Sequence, residues 1–206
     1  SNQQKCFIIK VKNKYENYYP QEIGGALFSY IKKFKEIKKV EFYVDSLGFD
    51  KEKAVQFFSE FIFGFNLKSY TFNKYKTLDK DKINRKIDFK IITLHKQKME
   101  VHHKYLEAIK EGIFLTRDLV SEPPNVLSPK TYVSEIKKLS KLGLKIKAYG
   151  EKELKKLGLN ALLGVGQGSD KETYLVTIEW RGKKQTEKKP LAFVGKGVCF
   201  DTGGIS

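Results

Sequence analysis

The stretch KVEFYVDSLGFDKEKAVQFFSEFIFGF, residues 39–65, decides the fold class. It begins with the alternating apolar residues Val40, Phe42 and Val44, a period of two that is typical of a strand. Asp50 then stands where a helix N-cap is expected. The residues that follow repeat at helical spacing, namely Ala54, Phe57, Phe58, Phe61, Ile62 and Phe65. A strand followed directly by an amphipathic helix predicts a layered α/β fold.

The sequence on both sides of this stretch continues the alternation of strand and helix. CFIIKV at 6–11 and IDFKIITL at 87–94 are predicted strands. The residues after Pro20 predict a further helix, with apolar positions Ile23, Leu27, Tyr30, Ile31 and Phe34. Residues 1–96 are therefore expected to form an N-terminal α/β domain with a partly parallel sheet.

A long helical pattern follows, from about Lys98 to Val120. Its apolar stripe contains Leu106, Ile109, Ile113, Thr116 and Val120. The sequence Ser-Glu-Pro-Pro, which begins at Ser121, ends the helix because proline disfavours helical backbone at the preceding residue and cannot continue the helix itself. We interpret residues 97–121 as a connector helix between two domains.

Residues 122–206 predict a second α/β region. Ser128 and Pro129 fit the N-cap and the first position of a helix that Gly143 ends. A short helix from Glu151 to Leu157 is predicted to end at Gly158. The predicted strands are LKIKAY at 144–149, YLVTIEW at 174–180 and PLAFVG at 190–195. The last of these is apolar enough to predict a central strand.

Composition indicates a folded protein of the reducing cytoplasm. The 206 residues are 40 % hydrophobic and contain no apolar run long enough to span a membrane, and no signal peptide is visible. Cys6 and Cys199 lie far apart and outside any CxxC spacing. A disulfide framework and a structural zinc site are therefore not expected.

The net charge of +16 raises the hypothesis of nucleic-acid binding. The arginines are Arg85, Arg117 and Arg181, and all other basic residues are dispersed lysines. Arginine suits bidentate contacts to phosphate and guanine, whereas dispersed lysine mostly solvates a surface. We therefore expect weak, nonspecific binding to DNA.

Two glycine-rich segments and the histidines do not form known motifs. GVGQGS at 164–169 has Ser169 where a dinucleotide loop needs its third glycine, so a flexible turn is predicted there. GKGVCFD lacks the Ser or Thr that a phosphate loop has after its lysine. The histidines are His95, His102 and His103, of which the adjacent pair points about 100° apart on a helix and cannot converge on one metal. We expect them on the surface or between domains.

The segment VGKGVCFDTGGIS at 194–206, in contrast, contains residues that could form a functional site. A strand that ends in Gly-Lys-Gly places Lys196 at the carboxyl edge of a sheet, where α/β proteins locate their sites. Gly195 and Gly197 allow close backbone approach, and Asp201 lies one loop away, within reach of the same site. These residues alone leave two hypotheses open, a shared functional site and an internal ion pair between Lys196 and Asp201.

The same segment closely resembles the signature of the cytosolic leucyl aminopeptidase family. Three other segments agree with that family in the same order: FNLKSYTFNKYK at 65–76, RDLVSEPPNVLSP at 117–129 and LGLNALLGVGQGSDKE at 157–172. The resemblance covers about residues 60–206. Cys199 and Thr202 stand where Thr and Ser are commoner in the family.

The resemblance implies a dizinc or dimanganese exopeptidase that removes N-terminal residues from peptides with a metal-activated water. Lys196 would bind one of two divalent ions and Asp201 would bridge both. An adjacent cation favours the neutral amine that a lysine ligand requires. Family members are usually hexamers, so a homo-oligomer is implied.

The resemblance also implies a fragment. It covers the N-terminal domain, the connector helix and the opening part of a mixed-sheet α/β catalytic domain. The remaining metal ligands and the catalytic residues, whose positions are unknown, are expected beyond residue 206, so residues 1–206 alone should be inactive. Two hypotheses of other classes remain, a basic nucleic-acid-binding module and a regulatory domain without enzymatic activity.

Overall fold

The computed structural model describes residues 7–12, 14, 16–77, 87–182 and 189–199. The chain divides into two compact units, Ser1–Val120 and Ser121–Ser206. We refer to them as the first and the second unit and describe each by itself. Cys6, the first residue of the predicted strand at 6–11, lies outside the described residues.

The first unit is built around a β-α-β arrangement. Its elements are α1 (Tyr19–Ile31), β1 (Lys39–Tyr43), a 3₁₀ turn (Val44–Leu47), α2 (Lys51–Ser69), β2 (Asp88–Ile92) and α3 (Lys96–Ser121). Strands β1 and β2 pair in parallel, with Phe42 opposite Ile91. The predicted strands and helices of residues 19–121 and the partly parallel sheet are therefore confirmed.

Helix α2 begins where its sequence predicts. The Asp50 carboxylate accepts hydrogen bonds from the backbone N–H groups of Glu52 and Lys53, at 3.1 and 3.0 Å. These bonds satisfy two of the donors that every helix leaves open at its first turn. Such a cap contributes about 1 kcal/mol to helix stability.

The core of the first unit is rich in phenylalanine rings. Phe28 and Phe65 meet edge to face at 5.1 Å, and Phe42 and Phe61 do so at 5.3 Å. This geometry suits aromatic rings because the positive edge of one ring faces the negative face of the other. The buried apolar cluster comprises Leu27, Phe28, Ile31, Phe42, Val44, Ala54, Val55, Phe57, Phe58, Phe61, Ile62, Phe65, Ile87 and Met99.

Helices α1 and α2 approach each other to backbone contact. A Cβ placed on Gly24 would lie 1.9 Å from the carbonyl oxygen of Phe61. A Cβ placed on Gly64 would lie 2.0 Å from the carbonyl oxygen of Gln21. Both positions therefore require glycine for steric reasons, one on each helix.

Helix α3 is fixed to the first unit at both ends. At its start, the Asp45 carboxylate accepts hydrogen bonds from Thr93 Oγ1 and the Leu94 backbone N–H, at 3.0 and 2.8 Å. Towards its end, Arg117 donates to the carbonyl of Leu67 at 2.8 Å, and the Tyr70 hydroxyl donates to Asp118 at 2.8 Å. These bonds hold the predicted connector, residues 97–121, to the first unit as far as Val120.

In its described residues, the second unit combines short helices with one pair of strands. Its elements are α4 (Pro129–Lys138), a 3₁₀ turn (Leu139–Leu142), β3 (Lys145–Tyr149), α5 (Glu151–Lys156), α6 (Asn160–Gly166) and β4 (Leu175–Glu179). Strands β3 and β4 pair antiparallel, with Lys145 opposite Glu179. Directly after β4, the Trp180 side chain is 73 % exposed. Parallel and antiparallel pairs thus both occur in the chain, and the predicted α/β class is confirmed.

Two predicted strands are wrong. Residues 7–12 contain no regular secondary structure, although Ile9 and Val11 pack against the core of the first unit. Residues 189–199 are likewise irregular, and Phe193 and Val194 are 90 % and 99 % exposed. An apolar run becomes a strand only where a neighbouring strand pairs with its backbone, and none of the described strands pairs with either segment.

Two further features concern single segments. The turn predicted at 164–169 is partly helical, because α6 continues through Gly166. Among the described residues, no helix combines the length and the apolar character that crossing a membrane requires.

Candidate functional site around Lys196

The predicted metal ligand Lys196 lies in the irregular segment 189–199, and its side chain is exposed. The sequence placed it at the end of a strand, which the structure does not show. Its predicted partner, Asp201, lies outside the described residues. The pairing of these two side chains therefore stays a prediction.

Gly197, the residue after Lys196, is in close contact with α4. A Cβ placed on Gly197 would lie 2.7 Å from Cε1 of Tyr132, which is closer than real Cβ atoms approach. A Cβ placed on Gly195 would meet no atom within 4 Å. Close approach, which the sequence suggested for both glycines, therefore occurs at Gly197 and not at Gly195.

Tyr132 is a contact residue that sequence reasoning missed. It lies in the first turn of α4, whose start is fixed by a reciprocal capping box between Ser128 and Thr131. Thr131 Oγ1 also accepts from the Ser128 backbone N–H and donates to the carbonyl of Val126, both at 2.8 Å. A fixed helix start thus supplies the ring against which the backbone beside Lys196 rests.

Cys199 lies three residues after Lys196 and is half-buried. Burial raises the pKa of its thiol, because a low-dielectric environment disfavours the thiolate. The thiolate is the form that attacks electrophiles and binds metals. The environment of Cys199 therefore favours an inert thiol.

The described residues do not make a metal site by themselves. Among them, no group of three or more His, Cys, Asp and Glu side chains could hold a metal ion. His102 and His103 lie on α3, where the ring of His103 meets Phe89 edge to face at 6.4 Å. The prediction was a position on the surface or between domains; His102 is exposed, whereas His103 is half-buried against Phe89 of the first unit.

A second polar cluster joins the start of α5 to the approach to β4. The Tyr174 hydroxyl donates to Glu172 at 2.5 Å, and the Thr173 backbone N–H donates to Glu151 at 3.0 Å. The hydrogen bond from Tyr174 lowers the pKa of the Glu172 carboxyl and raises the pKa of the Tyr174 hydroxyl. All these groups are exposed or half-buried, and their bonds connect neighbouring segments of the second unit. The cluster therefore has a structural role.

Comparison with known proteins adds sequence relatives. Residues 114–206 match the model of the cytosol aminopeptidase family, catalytic domain. The chain is 43 % identical over 187 residues to a probable cytosol aminopeptidase of Phytoplasma mali, covering 89 % of this chain and 36 % of that protein. It is 44 % identical over 176 residues to a probable cytosol aminopeptidase of Agrobacterium fabrum, covering 84 % of this chain and 35 % of that protein. The chain thus spans about a third of the length of these relatives.

Two solved structures share the fold. A tomato leucine aminopeptidase variant has a TM-score of 0.78 and 22 % identity, covering 93 % of this chain and 38 % of its own. The bottromycin maturation enzyme BotP, solved in complex with Mn, has a TM-score of 0.62 and 20 % identity, covering 80 % of this chain and 34 % of its own. Identities this low support the fold alone. The family match over residues 114–206 and the similarity along 89 % of the chain together show that the chain belongs to the cytosol aminopeptidase family.

Proposed function

We propose that residues 1–206 contribute to a metal-dependent aminopeptidase that removes N-terminal residues from peptides. The observation that carries this proposal is the catalytic-domain match, because it includes the segment with Lys196. The names of the Phytoplasma mali and Agrobacterium fabrum relatives agree with it. No observation on the described residues favours a nucleic-acid-binding or a regulatory role over this activity.

We propose further that the active protein binds two divalent ions, Zn²⁺ or Mn²⁺, through Lys196, Asp201 and residues outside this chain. Bound metal ions would supply an activated water at neutral pH. Within the described residues, the donor set consists of the Lys196 amine alone, which is too few donors for two ions. The described residues therefore do not complete the metal site, and no step of hydrolysis is assigned to them.

What this chain contributes is the position of the Lys196 backbone. The irregular segment around Lys196 has no strand pairing among the described residues to hold it. The contact between Gly197 and the ring of Tyr132 limits where this backbone can lie. A ligand must be held within about half an ångström of its productive position. Because Gly197 has no side chain, its backbone can contact the Tyr132 ring, and this contact restrains the neighbouring Lys196.

The domain organisation, the cellular location and the assembly of the protein are part of the same proposal. We assign residues 1–96 to an N-terminal domain, 97–121 to a connector and 122–206 to the first part of the catalytic domain. Peptide substrates, a cytoplasmic location and a homo-oligomeric assembly, a hexamer in the active protein, follow from the family resemblance.

The test uses an active protein that contains residues 1–206 and is as long as the relatives. Lys196→Met removes a nitrogen donor at similar side-chain length, and Asp201→Asn removes the charge that would bridge two ions. Lys189→Met is the matched control, because Lys189 is an exposed lysine in the same segment. We expect both site variants to bind fewer than two metals per folded chain and to lose turnover, while the control keeps both.

The hypothesis of a structural ion pair makes the opposite prediction. Both site variants would then lose stability together, and the turnover of each folded molecule would survive. Full metal occupancy and near-normal turnover in Asp201→Asn would remove the metal assignment.

A further inference from the structure

A surface cavity of about 510 Å³ lies among helices α1, α2 and α3 of the first unit. We call it the α1–α3 cavity, and its walls include Tyr18, Glu22, Gly25, Leu67, Lys68 and Arg117. Sites for small molecules typically have volumes of about 300–1,000 Å³. The cavity is therefore large enough for one small metabolite, and the chemistry of its walls indicates which class.

The walls of the α1–α3 cavity carry charges of both signs. Glu22 on α1 is negative, whereas Lys68 on α2 and Arg117 on α3 are positive. Within the part of the chain that the structure describes, neither the Glu22 carboxylate nor the Lys68 amine forms an ion pair. Opposite charges that line one cavity without pairing leave space between them for a ligand that carries both signs.

Arg117 is fixed in the wall by two contacts. Its Nη1 donates to the carbonyl of Leu67 at 2.8 Å, and its guanidinium carbon lies 5.3 Å from the centre of the Tyr70 ring. A guanidinium has five N–H donors, so most of them stay available to a ligand. Their planar arrangement suits a carboxylate, which can accept two parallel hydrogen bonds.

Tyr18 supplies an aromatic wall in a strained backbone conformation. Among the described residues other than glycine, Tyr18 alone has a positive φ, 72°. This left-handed region crowds the Cβ of an ordinary residue, and such strain occurs preferentially at functional positions such as ligand clamps. The ring of Tyr18 and the side chain of Leu67 offer the cavity an apolar surface. The ligand is therefore expected to carry an apolar group beside its charges.

We propose that the α1–α3 cavity binds a free amino acid with an apolar side chain, in its zwitterionic form. The carboxylate lies on Arg117 and Lys68, and the ammonium group faces Glu22. The side chain of the ligand packs against Tyr18 and Leu67. A ligand that is only an anion would be repelled by Glu22, and a ligand that is only a cation would be repelled by the two basic residues. Because Glu22 and Lys68 are exposed, the affinity is modest, with a dissociation constant on the order of 1 mM.

The first test compares three ligands on the 206-residue chain, and it does not depend on the proposed peptidase activity. L-leucine is titrated into isotopically labelled protein while the backbone amide signals of Gly25 and Gly64, two residues of the cavity wall, are followed by nuclear magnetic resonance. N-acetyl-L-leucine lacks the ammonium group, and L-leucinamide lacks the carboxylate. We expect saturable shifts with L-leucine and dissociation constants at least about tenfold higher for both analogues.

Two results of this titration would overturn the proposal. The first is the absence of saturable shifts up to the solubility limit of L-leucine. The second is an analogue that binds as tightly as L-leucine, because the cavity would then recognise a single charge and not a zwitterion.

The second test removes the charges of the cavity one at a time. Glu22→Gln and Lys68→Met should each raise the dissociation constant of L-leucine at least about fivefold. Glu22→Gln should also abolish the preference for L-leucine over N-acetyl-L-leucine, which a general loss of folding cannot do. Arg117 is not replaced, because it also holds the carbonyl of Leu67.

Glu111→Gln and Lys51→Met are the matched controls. Both residues are exposed, lie outside the cavity wall and form no ion pair within the described part of the chain. The controls should bind L-leucine as the wild-type chain does. Unchanged affinity in the two cavity variants, or an equal loss in the controls, would show that the charges of this cavity do not hold the ligand and would overturn the proposal.

Discussion

Replacing Gly24 by alanine tests the contact between α1 and α2. The new Cβ would lie 1.9 Å from the carbonyl oxygen of Phe61, whereas real Cβ atoms rarely come within 3.0 Å of a neighbour. The helices must therefore separate by about 1.1 Å, the difference between these two distances. Both sides of the contact are backbone, so no side chain can rotate away.

The expected loss follows from two opposing effects. Overpacking of a close-packed core costs typically about 1–3 kcal/mol, and a clash with backbone belongs at the upper end. Alanine returns about 1 kcal/mol through its better helix propensity. The free energy of unfolding of Gly24→Ala should therefore fall by about 2 kcal/mol, a large part of the roughly 5–15 kcal/mol that stabilises a domain.

Gly25→Ala is the control, one position along the same helix. Its Cβ would lie 3.6 Å from Cβ of Lys68 and 3.7 Å from the carbonyl oxygen of Gly64, which are ordinary van der Waals contacts. This variant should gain up to about 1 kcal/mol. Urea titrations followed by far-ultraviolet circular dichroism measure both changes. Equal stability of the two variants would show that α1 and α2 do not meet as described.

Three further predictions concern activity, charge and pH. Purified residues 1–206 should not cleave leucyl peptides with added Zn²⁺ or Mn²⁺, because two predicted protein ligands cannot hold two metals. Turnover above a metal-only control, in protein free of host peptidase, would contradict this. The chain should slow the migration of DNA in a gel at low salt and release it near physiological salt, because its charge of +16 is carried by dispersed lysines. A competition assay that shows strong preference for one duplex at physiological salt would contradict this. Tyr174→Phe should be less stable than wild type at neutral pH, and the difference should disappear as the pH falls. The hydrogen bond from Tyr174 lowers the pKa of Glu172, so it stabilises the folded state only while that carboxyl is ionised. A difference in thermal unfolding that does not depend on pH would contradict this.

The elements that the sequence predicted correctly are those whose signals are local. Asp50 caps α2 and Ser128 caps α4, as expected, because a cap and the apolar spacing after it lie within a few turns of chain. The helix ends at Gly143 and Gly158 were also predicted, and both glycines have the positive φ that such ends favour, 85° and 71°.

The features that the sequence did not predict depend on distant residues. The apolar run at 190–195 looks like a central strand, but its conformation depends on whether another strand pairs with it. The contact of Gly197 with Tyr132 joins segments that are far apart in sequence, so neither residue indicates the other. For the candidate site, the sequence predicted the residue types through a family signature, while the placement of Lys196 had to come from the structure.

The position of Trp180 determines what fluorescence can report about this protein. It is the chain's single tryptophan, it follows β4 in the second unit, and its indole is mostly in water. An indole that is solvated in the native state already emits at long wavelength, so unfolding changes its spectrum little. The first unit, whose core is rich in phenylalanine, contributes no indole emission. An assay that follows tryptophan emission would therefore miss unfolding of the first unit, and a stabilising or destabilising change there would look silent.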